Sequence, residues 1–186
     1  MSFAILRTAK LKSFGEIGGS LSHNYRDRPT PNANPQQTHN NEHSLSSADL
    51  VMTAIKNKLP EKRRKDAVLC VEYLITASPD WIGWNKLDEQ KYFNDAKKWL
   101  ENKHGKDNVI ATTIHRDEST PHMIAYVVPL VDGKLKDVLT YYNYSGTPVN
   151  KAYKLFIPVE YGYKWKTLIN VYEITVAPNS GTPGTR

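Results

Sequence analysis

The segment Ala67-Val68-Leu69-Cys70-Val71-Glu72-Tyr73-Leu74-Ile75-Thr76 is apolar at almost every position. A short continuous apolar run of this kind is typical of a strand buried on both faces, so we expect a central strand here. Glu72 is the one charged residue in it, and a charge at such a position needs a partner. The rest of the chain must supply neighbouring strands and the helices that cover them.

Three other segments are predicted to be strands. Polar and apolar residues alternate in the first of these segments, and apolar or β-branched residues dominate the other two, which indicates extended structure. They are residues 3–12, Val109–His115 and His122–Leu130. A tight polar link joins the last two, and Asp132-Gly133 is typical of the turn that follows.

Two long helices are predicted between these strands. Ser46 begins a capping-box pattern ahead of an apolar stripe that Pro60 ends. Ser78 and Pro79 favour the start of the second helix, which ends at Gly105. Four strands interrupted by two helices predict an α+β fold, with helices packed on a mainly antiparallel sheet.

Composition limits the class of protein. The chain has 186 residues and a net charge of +6, with a pI of about 9.2 and a mean hydropathy of −0.58. No apolar run approaches the roughly 20 residues of a membrane-spanning helix. The single cysteine, Cys70, excludes a disulfide framework and a Cys-based zinc cluster. We therefore expect a soluble, cytoplasmic protein whose basic excess favours nucleic acid as a partner.

The character of the chain changes after Lys136. Seven of the eleven tyrosines lie between Tyr141 and Tyr172, and no helical period is visible there. We therefore divide the chain into residues 1–136, the functional unit, and residues 137–186, an atypical tail. Short β-like runs are expected in the tail at Tyr153–Val159 and Leu168–Val176, and its last residues, 178–186, are expected to be disordered.

Two histidines at facing strand ends are candidate metal ligands. A tight connection between consecutive strands would bring His115 and His122 together, and the link supplies the carboxylates Asp117 and Glu118. Two imidazoles and a carboxylate bind divalent cations such as Mn, Mg or Zn. The alternative is two solvated histidines beside a polar turn.

A second candidate pair, His23 and Arg26, follows the glycines Gly15, Gly18 and Gly19, which we expect to break the structure before a short helix. Neutral imidazole is a competent nucleophile near pH 7, and a guanidinium one turn away can hold a phosphate through two bonds. The alternative is an ordinary pair on a helix surface.

Four segments, in order, resemble the motifs of the MobV-type relaxases, the Mob/Pre plasmid mobilisation and recombination enzymes. The segments are Gly18-Gly19…His23-Asn24-Tyr25-Arg26, Asn34-Pro35-Gln36-Gln37-Thr38-His39-Asn40-Asn41, Arg64-Lys65-Asp66-Ala67-Val68-Leu69, and His115-Arg116-Asp117-Glu118-Ser119-Thr120-Pro121-His122. The resemblance extends from Ser2 to about Lys136. It implies a fold of the HUH type, with an antiparallel sheet that carries the metal site and helices behind it.

The resemblance also implies an activity. Such enzymes nick one strand of plasmid DNA at an origin of transfer with a histidine nucleophile and a divalent metal, here expected to be Mn or Mg. His23 and Arg26 match the nucleophile and its arginine, His115 and His122 match the metal-binding histidines, and Glu118 matches a site glutamate. The expected partner is plasmid DNA, as a single strand and a hairpin. Candidate DNA-binding residues are Arg26, Arg28, His39, Asn41, Lys62, Arg63, Arg64 and Lys65.

Two departures from the family keep alternatives open. Ile124 stands where many members have a third histidine, so Glu118, Asp117 or Glu72 is expected to complete the metal shell. The tail has no match to the family, and we expect a truncated catalytic domain followed by unrelated sequence. The rival function is therefore a DNA-binding remnant that does not cut, and a merely solvated basic surface is a third possibility. Trp81 and Trp84 are candidates either for base stacking or for the core.

Overall fold

The structure is a computed structural model that describes residues 3–136, 141–142, 148–149 and 155–158. Within these ranges the chain forms an α+β fold around one antiparallel sheet, as predicted from the sequence. The expected strand at 168–176 and the expected disorder at 178–186 lie outside the described residues. No helix in the described part of the chain is long and apolar enough to span a bilayer.

Six strands form the main sheet, in the spatial order β10-β1-β3-β5-β4-β2, and each neighbouring pair is antiparallel. Their bounds are β1 Phe3–Leu11, β2 Glu42–His43, β3 Cys70–Ala77, β4 Val109–His115, β5 His122–Val127 and β10 Leu155–Pro158. The apolar run of 67–76 thus supplies an interior strand, β3, as expected.

Four very short strands form two antiparallel pairs that are separate from the main sheet. They are β6 Leu130–Val131, β7 Lys134–Leu135, β8 Tyr141–Tyr142 and β9 Pro148–Val149. Asp132 and Gly133 join β6 to β7 with φ angles of 51° and 70°, which confirms the predicted turn. The predicted strand 122–130 is therefore two strands, β5 and β6. The tail run predicted at 153–159 contains β10, which pairs with the edge of the sheet at β1.

Three helices cover the sheet: α1 Phe14–Asn24, α2 Ala48–Lys58 and α3 Lys86–His104. The caps differ from those expected. Ser47, not Ser46, caps α2 by accepting a hydrogen bond from the Leu50 amide, and Asn85, not Ser78, caps α3. Gly105 ends α3 with a φ of 86°, as predicted.

The expected glycine break before His23 is wrong. Helix α1 begins at Phe14, with Ser13 as its N-cap, and runs through Gly15, Gly18 and Gly19. A helix tolerates glycine at a cost of about 1 kcal/mol each, and burial of Ile17 and Leu21 offsets that cost. The expected irregular loop at 29–44 also contains some regular structure, a 3₁₀ helix at Pro35–Asn40 and the strand β2.

The two faces of the sheet are covered differently. On one face, α3 packs Phe93, Ala96, Trp99 and Leu100 against Tyr73 and its neighbours. Trp84 packs against this same core, and the Trp81 ring lies 4.9 Å from that of Trp84, which favours the packing alternative for these tryptophans. On the other face, α1 and α2 cover only the part of the sheet that carries Leu11, Cys70, Ala111 and Tyr126. The rest of that face forms a cleft.

Candidate metal centre and DNA cleft

A cleft of about 570 Å³ lies on the face of the sheet that α1 and α2 leave partly open. Its floor comes from β1, β3 and β5, and its walls come from the end of α1 and from the link between β4 and β5. Its lining residues are Ile5, Arg7, Gly19, Ser20, His23, Asn24, Arg28, Glu72, Leu74, Thr76, Glu118, Ser119, Thr120, His122 and Ile124. Alternate residues of a strand face the same side, which explains why Glu72, Leu74 and Thr76 appear together.

The pairing of β4 with β5 brings the two predicted metal ligands into contact. His115 is in register with His122, and His115 Nδ1 lies 3.0 Å from His122 Nε2. Together with a Glu118 carboxylate oxygen, these ligand atoms all lie within 4.8 Å of one another. The alternative of two separate solvated histidines does not fit, because His115 is 1% exposed.

Two backbone carbonyls determine which nitrogen of each histidine faces the other. His115 Nε2 donates to the Asn24 carbonyl oxygen at 2.8 Å, and His122 Nδ1 donates to the Thr120 carbonyl oxygen at 3.1 Å. The two remaining nitrogens, His115 Nδ1 and His122 Nε2, therefore face each other at 3.0 Å. Two imidazole nitrogens that face each other with their rings held by backbone carbonyls form the kind of ligand pair that a divalent cation takes, so these residues fit a divalent metal.

Burial keeps His115 in the neutral form that a metal ligand requires. It lowers the pKa of His115 to about 3, against the opposing effect of the hydrogen bond to Asn24. Glu118 Oε1 lies 3.9 Å from His122 Nε2, so the carboxylate belongs with the two histidines to a group of residues that could hold a metal ion. Ile124, also in the cleft, supplies no donor atom.

Asp117 is placed differently from its neighbour. It is 1% exposed, and its carboxylate accepts hydrogen bonds from Arg26 Nη2 at 2.6 Å and Nε at 2.9 Å, from Asn41 at 2.8 Å and from Thr38 at 3.1 Å. Burial by itself would raise the pKa of Asp117, but these bonds and the charge of Arg26 hold it well below its usual range. Asp117 therefore joins three segments of the chain and has no oxygen left for a metal.

Arg26 is bound within the protein rather than exposed. Its side chain is 9% exposed and also donates to Glu118 Oε1 at 2.8 Å and to the His23 carbonyl oxygen at 3.2 Å. The hydrogen bonds to Asp117, followed by those to Glu118, raise the pKa of Arg26. Its φ of 59° turns the chain sharply after α1 and so directs the guanidinium toward the β4–β5 link.

The four consecutive residues at the end of α1 contact four different parts of the site. His23 lines the cleft, and its Nδ1 lies 3.5 Å from Thr30 Oγ1. Asn24 holds His115 through its carbonyl, Tyr25 stacks on His43 at 4.5 Å, and Arg26 binds Asp117. The sequence predicts His23 and Arg26 as site residues but not Asn24 and Tyr25. No residue spacing indicates that a backbone carbonyl will hold a histidine or that a tyrosine will stack on one.

A second polar cluster lies at the inner end of the cleft. Ser20 donates to Glu72 Oε2 and lies 2.6 Å from the Tyr126 hydroxyl, while the Asn24 amide donates to Tyr126 at 2.6 Å and to Glu72 Oε2 at 3.4 Å. These bonds supply the partner that a charge in β3 was expected to need. Glu72 does not belong to the group of converging metal ligands.

The candidate DNA-binding residues fall into three places. Arg28 is exposed and lines the cleft, whereas His39 is exposed on the 3₁₀ helix. Asn41 uses its side chain internally, donating to Asp117 and accepting from the Arg116 amide at 2.8 Å. A separate basic groove of about 440 Å³ is lined by Lys12, Ser13, Phe14, Glu61, Arg63, Arg64, Lys65 and Leu69, and Lys62 is exposed within the same basic run.

Comparison with known proteins identifies the family. The profile of the plasmid recombination enzymes, Mob_Pre, matches residues 1–144. The chain is also 37% identical over 150 residues to a plasmid recombination enzyme of Streptococcus agalactiae, covering 73% of this chain and 30% of that protein. The chain belongs to the Mob_Pre family of plasmid recombination enzymes. A relative from a Bacillus species is 35% identical over 147 residues, covering 73% of this chain and 35% of the relative. The chain thus spans about a third of the length of these Mob_Pre enzymes.

Solved structures agree with the assignment to Mob_Pre. The MobM relaxase domain, in a Mn-bound crystal with a 22-nucleotide oriT DNA of plasmid pMV158, matches with a TM-score of 0.62 and 31% identity, covering 73% of this chain and 75% of that one. A complex of the same domain with 26-nucleotide oriT DNA covers 99% of this chain and 94% of that one at 23% identity and a TM-score of 0.55, a likeness of fold. The α+β fold that the sequence predicts is therefore that of a relaxase domain.

Proposed function

We propose that residues 1–136 form a relaxase domain of the HUH type that binds plasmid DNA at an origin of transfer and nicks one strand, with His23 as the nucleophile. The observation that carries this proposal is a shared cleft: His23 lines the same cavity as Glu118 and His122, and His122 Nε2 lies 3.0 Å from His115 Nδ1. Membership of the Mob_Pre family and the oriT DNA complexes of the MobM relaxase domain support it.

His23 is suited to attack a phosphate in the cleft. With a proton on Nδ1, donated toward Thr30 Oγ1, the lone pair on Nε2 is the nucleophile. A bond forms between this nitrogen and phosphorus while the bond from phosphorus to the leaving deoxyribose oxygen breaks. The imidazole releases its Nδ1 proton to water while the leaving oxygen takes up a proton from water, and the phosphoramidate that results keeps one DNA end attached to the protein for later rejoining.

His115, His122 and Glu118 would hold the divalent cation, which we propose to be Mn or Mg. A cation bound there supplies positive charge to the non-bridging oxygens of the scissile phosphate. Glu118 has a double role, because it also accepts a hydrogen bond from Arg26 at 2.8 Å. Arg26 thereby positions Glu118 and, through the His23 carbonyl, the end of α1 that carries the nucleophile.

The DNA backbone would be neutralised at two basic surfaces. Arg28 lies at the cleft itself, and Lys62–Lys65 lie at the separate groove, where a hairpin or a further part of the strand can bind. His39 is exposed and available for contact, whereas Asn41 and Arg26 act through their internal bonds. A cytoplasmic location, a role in conjugation and the lack of function of the tail stay predictions.

The test is a nicking assay on supercoiled plasmid that carries a cognate origin, with Mn or Mg. We expect relaxed product with a covalent protein–DNA adduct, and we expect His23→Ala to reduce the rate by at least about a thousandfold, since it removes the nucleophile. Lys97→Ala, at an exposed position of α3 on the opposite face of the sheet, is the control and should retain nicking. Cutting that survives His23→Ala would contradict the proposed nucleophile.

The second candidate function is DNA binding without cutting. The observation that favours it is Ile124, which lines the cleft as an apolar residue and leaves three candidate ligands in the described part of the chain. Restoring a ligand with Ile124→His separates the two functions. Binding by the unaltered chain with no relaxation under any divalent cation would support the remnant, particularly if Ile124→His restores nicking.

A further inference from the structure

The Glu72 carboxylate is a feature of the cleft that neither the metal centre nor the nucleophile uses. It lines the cavity from the middle of β3, and Ser20 and Asn24 hold its Oε2 atom. Within the described residues, both of these hydrogen bonds go to Oε2, so the two lone pairs of Oε1 remain available to two donors of whatever occupies the cleft. The hydrogen-bond network around Glu72 fixes the direction of its carboxylate, because two members of the network, Tyr126 and Asn24, are buried and bonded to each other.

The rest of the inner cleft has the composition of a nucleotide pocket. Ile5, Leu74 and Ile124 give it an apolar floor on which a flat ring can lie. Two exposed cations, Arg7 and Arg28, also line it and can bind flanking phosphates. A Cβ added at Gly19 would have no heavy atom within 4 Å, so space is open beside Ser20 as well.

A carboxylate among these groups selects against a phosphate and in favour of a neutral group with N–H donors. Among unpaired bases, guanine alone presents two adjacent donors on its Watson–Crick edge, the N1–H and the N2 amino group. Adenine and cytosine place an acceptor nitrogen beside their amino group, and thymine flanks its single N–H with two carbonyls. Each of these edges therefore sets a lone pair against the carboxylate.

We infer that Glu72 is a specificity residue that binds the Watson–Crick edge of one unpaired guanine in the DNA strand. This inference rests on the proposed DNA-nicking function. It also differs from a third-ligand role, since the Glu72 carboxylate lies outside the group His115, Glu118 and His122. Ser20 and Asn24 act as positioning residues for Glu72, and Arg7 and Arg28 hold the phosphates on either side of the guanine.

The experiment is selection from a pool of random single-stranded oligonucleotides about 12 nucleotides long, within the usual range of binding-site sizes. The full chain is incubated with the pool, and the bound fraction is sequenced for the unaltered protein and for Glu72→Gln, Ser20→Ala and Glu101→Gln. We expect guanine to be enriched at one position by the unaltered chain and the enrichment to be lost in Glu72→Gln. Glu101→Gln is the matched control, because Glu101 lies in α3 on the opposite face of the sheet.

Ser20→Ala distinguishes base recognition from anchoring. It removes the hydroxyl that joins Glu72 to Tyr126 but leaves the carboxylate in the cleft. If Glu72 binds guanine, Glu72→Gln loses the preference, whereas Ser20→Ala, in which Asn24 still holds the carboxylate, weakens the preference without losing it. If Glu72 only anchors α1, both variants weaken binding to every sequence alike and the inference is overturned.

A second measurement needs only the unaltered chain, so it does not depend on whether a variant folds. Selected oligonucleotides are compared with the guanine replaced by hypoxanthine, which lacks the N2 amino group. We expect affinity to fall about tenfold, the order of discrimination given by one good pair of base contacts. Binding with no difference would overturn this inference alone, whereas failure to bind any DNA would overturn the proposed function as well.

Discussion

The two faces of the sheet are stabilised in different ways. The face under α3 is an apolar core in which Phe93, Ala96 and Leu100 are at most 2% exposed. The opposite face has such a core only under α1 and α2. Its open part instead carries charged and polar side chains held by hydrogen bonds between residues distant in the sequence, such as Arg26 and Asp117, which are 91 positions apart. The contrast teaches that the cleft is kept in shape by polar bonds rather than by apolar packing.

Removal of Asp117 should break that arrangement most strongly. Asp117→Ala leaves the Arg26 guanidinium, 9% exposed, without its main partner and deletes the bonds from Thr38 and Asn41. Breaking a buried pair on one side costs about 3–5 kcal/mol. We expect a loss of this size in the free energy of unfolding, measured by urea denaturation. We also expect about tenfold weaker Mn binding by calorimetry, because Glu118 loses the support of a fixed Arg26.

The control for Asp117 lies on the α3 side. Asp95 accepts a hydrogen bond from Lys91 at 2.5 Å, yet the Lys91 side chain is 74% exposed. An exposed pair of this spacing contributes about 0.5 kcal/mol or less, so Asp95→Ala should be nearly silent in both measurements. Equal effects of Asp117→Ala and Asp95→Ala would show that the cleft does not depend on its polar bonds.

The same contrast explains what sequence reasoning found. The α3 face follows local rules: the apolar run of β3 and the helical spacing of Phe93, Ala96 and Leu100 are visible in the chain itself. The pairing of His115 with His122 was predictable too, since a short link joins their strands. Three helix boundaries that were predicted at Gly18, Ser46 and Ser78 lie elsewhere in the structure. They were predicted from local signals, and tertiary packing outweighs such signals.

The rest of the site was not predictable because it depends on contacts between distant segments. Asp117 was considered as a metal ligand, and nothing in its spacing indicates that Arg26, Thr38 and Asn41 occupy its oxygens. The hydrogen-bond partners of Glu72 likewise come from α1, where Ser20 lies 52 positions away and Asn24 lies 48 positions away. Only the register of the strands and the position of α1 on the sheet bring these groups together.

Acid should affect the α3 face through a partly buried histidine. His104 ends α3 beside Tyr73, with its Nε2 atom 2.7 Å from the Tyr73 hydroxyl. Burial, with a smaller effect of Lys103, lowers the pKa of His104 to about 4. The unfolded chain, in which the pKa is about 6.5, therefore binds a proton that the folded chain refuses, and stability present above pH 6.5 is lost progressively as the pH falls toward 4.

The measurement is urea denaturation of the metal-free protein and of His104→Gln at pH 7 and pH 5. Between these values the unaltered chain should lose about 2 kcal/mol more than the variant, which has no proton to take up. His115 is present in both proteins, so its own titration cancels in the difference. Parallel losses in the two proteins would mean that His104 is not held neutral by the fold.

The smallest effect is expected from alanine at two neighbouring glycines of α1. A comparison of the two variants separates the effect on helix stability from the effect on the space in the cleft. Gly18 and Gly19 are both interior to α1, so alanine at either position should raise the free energy of unfolding by about 0.5–1 kcal/mol. A Cβ at Gly18 would meet Met52 Cε at 3.8 Å, an ordinary contact with α2, whereas a Cβ at Gly19 would project into the open cleft. Gly19→Ala should therefore weaken binding of single-stranded DNA several-fold while it stabilises the fold, and Gly18→Ala should stabilise the fold without any effect on binding. Thermal unfolding and fluorescence anisotropy on the same two preparations decide the matter, and equal DNA affinities would mean that the strand does not approach α1 at Gly19.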